Sequence, residues 1–434
     1  MSLKFIATGD TIVTCPYTRD YEGYDEMVAY IRSADVRMNN MENPLADGPC
    51  PVSAFSGKPW MRAPTTLLDE MADFGFNCFG FANNHNLDYW YTGLASTLEA
   101  FRSRGLPVAG AGEDLATATR HCKTETPNGS VALVAVTTTS DLSAQAGDPR
   151  GQITGRPGVS MLRHTIKFRV TEEQMAVLQQ IADDSKVNSR LKNRLKLGSV
   201  VVKEGSFPFG SMNFEVGEPC RMTIPDPYDM ERMEAAVKAA VADADHTVVY
   251  IHSHETKGDS DFEPDYFVEE FSRAAIDWGA DAVVCSGTHQ IKGVEIYKGC
   301  PIYYSIANFF FRPFDMEDYP WEWYELYNMD KSLTPQEGER LRTKNFTRGL
   351  VTQPYAFRSI SPMIEWDDEG KAVKIAAMPI SLGFHDKESR GFPRPATKED
   401  SDALFEQLQR TCAPYGTTVT VDEDGMFIFS KAED

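Results

Sequence analysis

No run of about 20 consecutive apolar residues occurs anywhere in the sequence, so it offers no membrane-spanning helix. Its longest apolar stretches are short ones such as Val131–Val136. The first ten residues also lack the basic, apolar and small-residue succession of a signal peptide. The expected location is therefore cytoplasmic, unless a leader or anchor has been trimmed away. Clustered cysteines are missing too: Cys15, Cys50, Cys78, Cys122, Cys220, Cys285, Cys300 and Cys412 are scattered singly, with no CxxC pair. That pattern argues against a disulfide framework and predicts reduced, mostly buried thiols. Basic charge is scarce, with 43 Lys and Arg against 64 Asp and Glu and a net charge of -21. A surface so rich in carboxylates repels a polyanion, which argues against a nucleic-acid partner. What remains is a chain of 434 residues, 42% of them hydrophobic, with ample material for a buried core.

The first 150 residues alternate strand and helix signals. Lys4–Thr8, Ala34–Met38, Cys78–Phe81 and Val131–Val136 read as strands, and Tyr24–Ile31, Thr65–Phe74 and Gly93–Arg104 as helices. The same alternation returns after residue 229, with strands at Thr247–Ile251, Asp281–Cys285 and Pro301–Ser305 and helices at Met230–Ala242 and Asp265–Trp278. This predicts an α/β fold with helices on the faces of a sheet. The core is expected to be discontinuous, over 1–149 and 230–385, interrupted by an insertion at 150–229 that could serve as a lid. An aromatic-rich subdomain is expected at 309–345 and a helical extension at 386–434. Within the insertion, Ile166, Phe168 and Val170 alternate with Lys167 and Arg169 as in a half-exposed strand, and Thr171-Glu-Glu-Gln174 fits a capping box. Lys186, Arg190, Lys192, Arg194, Lys196 and Lys203 follow with no acidic residue before Glu204. This run reads either as a solvated face or as a collar for an anionic substrate.

In α/β proteins, chemistry gathers in the loops just past the carboxyl ends of strands, where side chains converge on one crevice. The polar residues at those points are Asp10, then Asn40 and Glu42, then Asn84, His85 and Asp88, then His252, His254 and Glu255, then His289. Each alone reads most simply as a turn or a hydrogen-bonded structural residue. Together they place four of the eight histidines, with several carboxylates, at successive strand ends. His252 and His254 are two apart, so on a continuing strand they share a face, as two ligands of one metal would. Carboxylate, amide and imidazole donors suit Mn²⁺, Zn²⁺ or Fe²⁺. The chemistry implied is hydrolysis in which one or two metal ions acidify water and polarise the scissile group.

The ordered set Gly9-Asp10, Asn40-Met-Glu42-Asn-Pro44, Ala82-Asn-Asn84-His85-Asn-Leu-Asp88, Gly110-Ala-Gly112, His289 and Pro301-Ile-Tyr-Tyr-Ser305-Ile-Ala-Asn308 resembles the CapA (PgsA-type) family. These are poly-γ-glutamate capsule synthesis proteins within the calcineurin-like metallophosphoesterase superfamily. The resemblance covers about residues 4–137 and 246–310, and it implies a layered α/β sandwich. It further implies Asp10 and His289 as ligands of a first metal, Glu42 as a bridging carboxylate, and Asn84 and His252 as ligands of a second. His85 would act as acid or oxyanion stabiliser, oriented by Asp88. Two positions depart from the superfamily pattern: Ile12 and Gly287 stand where histidines are usual, and His254 or Glu255 could replace a lost ligand.

Two functions follow. One is a metal-dependent hydrolase of a phosphoester, ester or amide bond in a small anionic or glutamyl-type substrate, with Asn308, Arg156 and Arg312 as substrate contacts. The other is a non-catalytic accessory of capsule synthesis or export that binds poly-γ-glutamate. A plain structural α/β protein with satisfied core histidines is the third reading.

Overall fold

The computed structural model describes residues 2–432 apart from 56, 58, 259 and 387. Two sheets dominate it. One has ten strands, running in the order Thr417–Val421, Phe427–Lys431, Ala372–Ser381, Arg358–Trp366, Leu3–Ile12, Val36–Met41, Cys78–Gly80 and Val108–Ala109, with Asn308–Phe311 also pairing with Leu3–Ile12 and Arg394–Pro395 with Ala372–Ser381. The other has six strands, in the order Val294–Tyr297, Cys300–Tyr303, Ala282–Gly287, His246–Ser253, Gly129–Thr137 and Cys122–Thr126.

Side-chain alternation turns these sheets into layers. Along Leu3–Ile12, Phe5 and Ala7 point to the second sheet, while Ile6 points the other way, into a core shared with Met27 and Ile31 of helix Tyr24–Arg32 and with Leu67, Leu68 and Met71 of helix Leu67–Phe74. In the second sheet Leu133, Ala135, Val248, Tyr250, Ala282 and Val284 face the gap between sheets. Their neighbours Val134, Val249, Ile251 and Val283 pack under helices Pro227–Val241 and Tyr266–Asp277 through Met233, Val237, Phe267 and Phe271. Strands covered on both faces are apolar almost throughout, which explains the continuous run Val131–Val136. The order of layers is helix, sheet, sheet, helix, and each large apolar side chain buried there contributes roughly 1.5–3 kcal/mol.

The insertion folds as its own four-stranded sheet, in the order Ser206–Phe209, Met212–Val216, His164–Val170 and Cys220–Pro225. The capping box forms at Thr171 and starts helix Glu172–Ser185. The final segment carries helix Lys398–Cys412, and it also adds Thr417–Val421 and Phe427–Lys431 to the large sheet. Leu404, Leu408 and Cys412 of that helix enter the core between the two sheets, so this region closes one side of the sandwich and is more than a helical extension. Phe309, Phe310 and Phe311 belong to a buried strand, whereas Tyr319 and Trp323 stack at 4.0 Å in the aromatic stretch that follows. The cysteines are free, but only Cys78, Cys285 and Cys412 are buried and Cys220 is exposed.

Candidate metal centre

The strands of both sheets that run parallel at the centre deliver their polar ends to one place between the layers. In the first strand this requires a bulge. Alternation from Ile6 would send Asp10 outward, but the register against Val36–Met41 shifts between Thr8 and Asp10. Gly9 makes the shift feasible, because a Cβ there would lie 1.8 Å from the Ala307 carbonyl oxygen. Asp10 therefore sits within a ten-residue strand, where a turn was expected, and it faces the second sheet. Its carboxylate accepts hydrogen bonds from Asn40 Nδ2 at 2.7 Å, Tyr250 OH at 3.3 Å, the Gly287 N–H at 3.0 Å and the Ser286 hydroxyl.

Strand His246–Ser253 needs no such device, since Val248, Tyr250 and His252 fall on one face by simple alternation. His252 Nδ1 lies 3.5 Å from Asp10 Oδ1, and its Nε2 lies 2.8 Å from Asn84 Oδ1, 3.1 Å from His254 Nε2 and 3.9 Å from Glu42 Oε1. The loop after Cys78–Gly80 is held by buried amides. Asn86 accepts from the Asn83 N–H, Asn83 accepts from the His85 N–H, and Asn83 Nδ2 donates to the Met41 carbonyl. Thus fixed, the loop aims Asn84 and His85 into the crevice. His85 Nδ1 lies 2.7 Å from Asp88 Oδ2, and its Nε2 is 3.8 Å from Glu42 Oε1. Asp88 is itself anchored by the Gly57 and Met61 N–H groups. A Cβ on Gly57 would come within 2.6 Å of Asn84 and His85 side-chain atoms, so Gly57 lies directly against them.

Asp10, Glu42, Asn84, His85, Asp88, His252, His254 and His289 thus meet in one crevice, with His289 Nδ1 4.0 Å from Asp10 Oδ2. His254 and His289 rings pack edge to face at 5.4 Å. Asn308, expected to touch substrate, is fully buried and sits 2.8 Å from His289 Nδ1 while donating to the Ala356 carbonyl, which makes it a support for that ring. The two arginines are engaged elsewhere: Arg156 donates to the Gln145 carbonyl, and Arg312 pairs with Asp315 and stacks on Phe392.

The two departures from the expected ligand pattern have physical reasons. Ile12 packs in the apolar core under the helices, on the face away from the crevice. Gly287 has φ +113°, and a Cβ there would lie 2.7 Å from the Ser253 carbonyl oxygen, so its N–H on Asp10 takes the place of a side chain. Of the two replacement candidates, geometry selects His254. Glu42, His252 and His254 offer ligand atoms within 4.8 Å of one another. Glu255 Oε2 instead accepts from the hydroxyls of Thr138, Thr139 and Ser253.

Charge at the crevice is uneven. Burial alone would raise the Asp10 pKa, but His252, His289 and the Ser286 hydrogen bond outweigh it and hold the carboxyl far below its ordinary range. Glu42 is pushed the other way by burial and then by Asp10 and Asp88. Both of its oxygens are buried and have no hydrogen-bond partner among the described residues. Burial, with His252 and His289 nearby, pulls His254 well below the ordinary imidazole value, and burial lowers His289 as well. Imidazoles, with His254 held toward its neutral form, beside a carboxylate that has no partner among the described residues form a donor set suited to a divalent cation. A tetrahedral ion with ligands about 2 Å away separates them by roughly 3.3 Å, and the observed 3.1 and 3.9 Å bracket that figure.

Beside His254 opens a cleft of about 370 Å³, lined by Asn84, Gly57, Thr138, Thr139, Ser140, Glu255 and, from the root of the insertion, Met161, Arg163 and His164. Arg163 is paired with Asp229 and Asp226, and the Asp141 and Glu255 carboxylates, the Ser140 hydroxyl and the His164 and His254 rings also line the cleft. Tyr250, Ser286, Thr138 and Thr139 were not singled out from the sequence. Tyr250 carried a usable signal, since it lies two residues before His252 on the same strand face.

This polar crevice lies within the part of the chain that matches a known family: residues 4–313 fit the model of the bacterial capsule synthesis protein PGA_cap. The chain belongs to the PGA_cap family. Two uncharacterized proteins of Sinorhizobium fredii, y4sH and y4uA, are each 29% identical to it over 439 aligned residues, covering 96% of this chain and 91% of theirs. The PGA biosynthesis protein CapA of Bacillus subtilis is 22% identical over 296 residues, covering 67% of this chain and 58% of its own. The PGA_cap match contains every residue of the crevice and stops short of the C-terminal strands. Among the described residues, no helix is long and apolar enough to cross a membrane.

Proposed function

We propose that this PGA_cap protein is a divalent-metal-dependent hydrolase of calcineurin-like type. Its substrate would be a phosphoester, ester or amide of small anionic or glutamyl character. The observation that carries this reading is Glu42: a fully buried carboxylate whose two oxygens have no hydrogen-bond partner among the described residues, next to His252 and His254. A buried charge so placed is costly unless a cation neutralises it. Glu42, His252 and His254 would hold the ion, with the Asn84 amide beside them. When bound, a divalent ion supplies Lewis acidity and lowers the pKa of water.

The chain's own groups supply the rest. Asp88 holds His85 through Nδ1 and leaves Nε2 turned to the Glu42 side of the crevice, where it can deliver a proton to a leaving group or stabilise an oxyanion. Asp10 stays ionised beside the His252 and His289 rings on the second-sheet side. The Ser140 hydroxyl and the Asn84 amide would contact the flanking part of the substrate in the cleft. Met161, Arg163 and His164 put the insertion at the cleft rim, a position consistent with a lid.

The test is turnover of bis(p-nitrophenyl) phosphate, p-nitrophenyl acetate and γ-glutamyl-p-nitroanilide by protein reconstituted with Mn²⁺, Zn²⁺ or Fe²⁺. Activity in at least one assay is expected, with His85→Asn lowering kcat by about 10²–10⁴ while metal content is unchanged. Absence of turnover with every metal, joined to poly-γ-glutamate binding that His85→Asn leaves intact, would support the accessory reading instead.

A further inference from the structure

The basic run in the insertion has no place in the crevice chemistry. Helix Ser189–Lys196 has no buried residue, and the six cations Lys186, Arg190, Lys192, Arg194, Lys196 and Lys203 crowd around it. Among the described residues only Lys192 of these has an ion-pair partner, Asp183. Charge alone would make this a solvated face, but large apolar side chains are exposed within the same stretch. Leu197 is 80% exposed and Val201 92%, with Val187 at 41% and Leu195 at 39%. Leu191 and Leu195 lie one turn apart on one helix face, flanked by Lys192 and Arg194.

We infer that residues 186–203 form a docking surface for an anionic lipid membrane, a role independent of the hydrolase reading. Cations alone would suit any polyanion. A soluble polycarboxylate, however, neutralises the lysines and arginines and leaves Leu197 and Val201 in water. A lipid interface takes both: the leucines and valines enter the boundary between headgroups and acyl chains, and the long basic side chains snorkel to the headgroups. The net charge of -21 does not oppose this, because repulsion from acidic groups farther than a Debye length, about 10 Å at 0.1 M salt, is largely screened. A polybasic segment touching the surface feels the anionic headgroups directly.

The experiment is co-sedimentation of the full chain with phosphatidylglycerol/phosphatidylcholine vesicles and with pure phosphatidylcholine vesicles, at low and high salt. Binding is expected to the anionic vesicles, to weaken with salt, and to be nearly absent with phosphatidylcholine. Arg190→Glu with Arg194→Glu should lower partitioning by about tenfold or more. Leu197→Asp with Val201→Asp should also lower it, with an unchanged circular-dichroism melt showing that the fold is intact. Four results would overturn the assignment: no anionic-vesicle binding at low salt, equal binding to both vesicle types, pelleting without vesicles as for self-association, or vesicle binding indifferent to the aspartate pair. A poly-γ-glutamate arm separates a plain polyanion site: binding there that needs the arginines and ignores Leu197 and Val201, with vesicles unbound, would move the surface to that ligand.

Discussion

Asp10 and Glu42 are both fully buried carboxylates at the ends of adjacent parallel strands, yet the protein treats them in opposite ways. Asp10 is surrounded by donors from Asn40, Tyr250, Ser286 and Gly287. Glu42 has none. One side of the crevice is thus electrostatically complete in the folded chain, and the other is the side that the proposed cation would complete. The contrast bears on Ile12 and Gly287: the Asp10 side has hydrogen-bond donors where the pattern the sequence resembles has imidazoles, and His254 stands beside Glu42 on the other side.

The largest effect that sharpens this contrast is on metal affinity. Glu42→Gln should weaken divalent-metal binding about a thousandfold, or ~4 kcal/mol, measured by calorimetric titration. In metal-free protein the same change should leave the melting temperature equal or higher, because it removes an unpartnered buried charge. Asp10→Asn should do the reverse, destabilising the metal-free fold by about 3 kcal/mol in urea denaturation, since several donors lose a charged acceptor. A melting temperature unmoved by Asp10→Asn would break the comparison. Gly287→Ala comes next. At φ +113° and against the Ser253 carbonyl it should cost about 2 kcal/mol and disturb the N–H on Asp10 without changing metal stoichiometry.

The smallest effect is the pH dependence of metal-free stability. Glu42 is raised in the folded state, so its contribution is fully present below its unfolded value near 4.5 and is lost as pH rises through the folded value. The slope is at most about 1.4 kcal/mol per pH unit. Asp10 is lowered, so its contribution is present above its unfolded value near 3.8 and lost only as pH falls below it. Denaturation midpoints followed from pH 3 to 8, roughly, should show the Glu42 slope vanish in Glu42→Gln. Persistence of that slope would assign it to another group.

Much of the crevice was legible because side-chain direction follows strand alternation. His252, His254, His289, Asn84 and His85 are where strand ends and loop starts predicted convergence. The Asp10 bulge was not legible, since its cause is a close approach between Gly9 and the Ala307 carbonyl, residues far apart in sequence. Nor were the donors around Asp10: Tyr250 and Ser286 look like core residues until the opposite sheet is in place. The local partners of Arg156 and Arg312 were not legible for a related reason, as composition does not reveal where long side chains settle. The α/β core and the separate texture of the insertion were readable from periodicity. The two C-terminal strands were missed: they pair with each other as a hairpin, and only Phe427–Lys431 reaches the distant strand Ala372–Ser381 that ties the hairpin to the large sheet.

The central claim is that Glu42, His252 and His254 form a cation site that the folded chain leaves electrostatically incomplete. Metal analysis of protein loaded with Mn²⁺, Zn²⁺ or Fe²⁺ and then exhaustively dialysed tests it most directly, comparing the native chain with Glu42→Gln and Asp10→Asn. The account predicts at least one retained ion per native chain, loss of that ion in Glu42→Gln, and its retention in whatever fraction of Asp10→Asn remains folded. No retained ion in the native chain, or equal retention in Glu42→Gln, would contradict it.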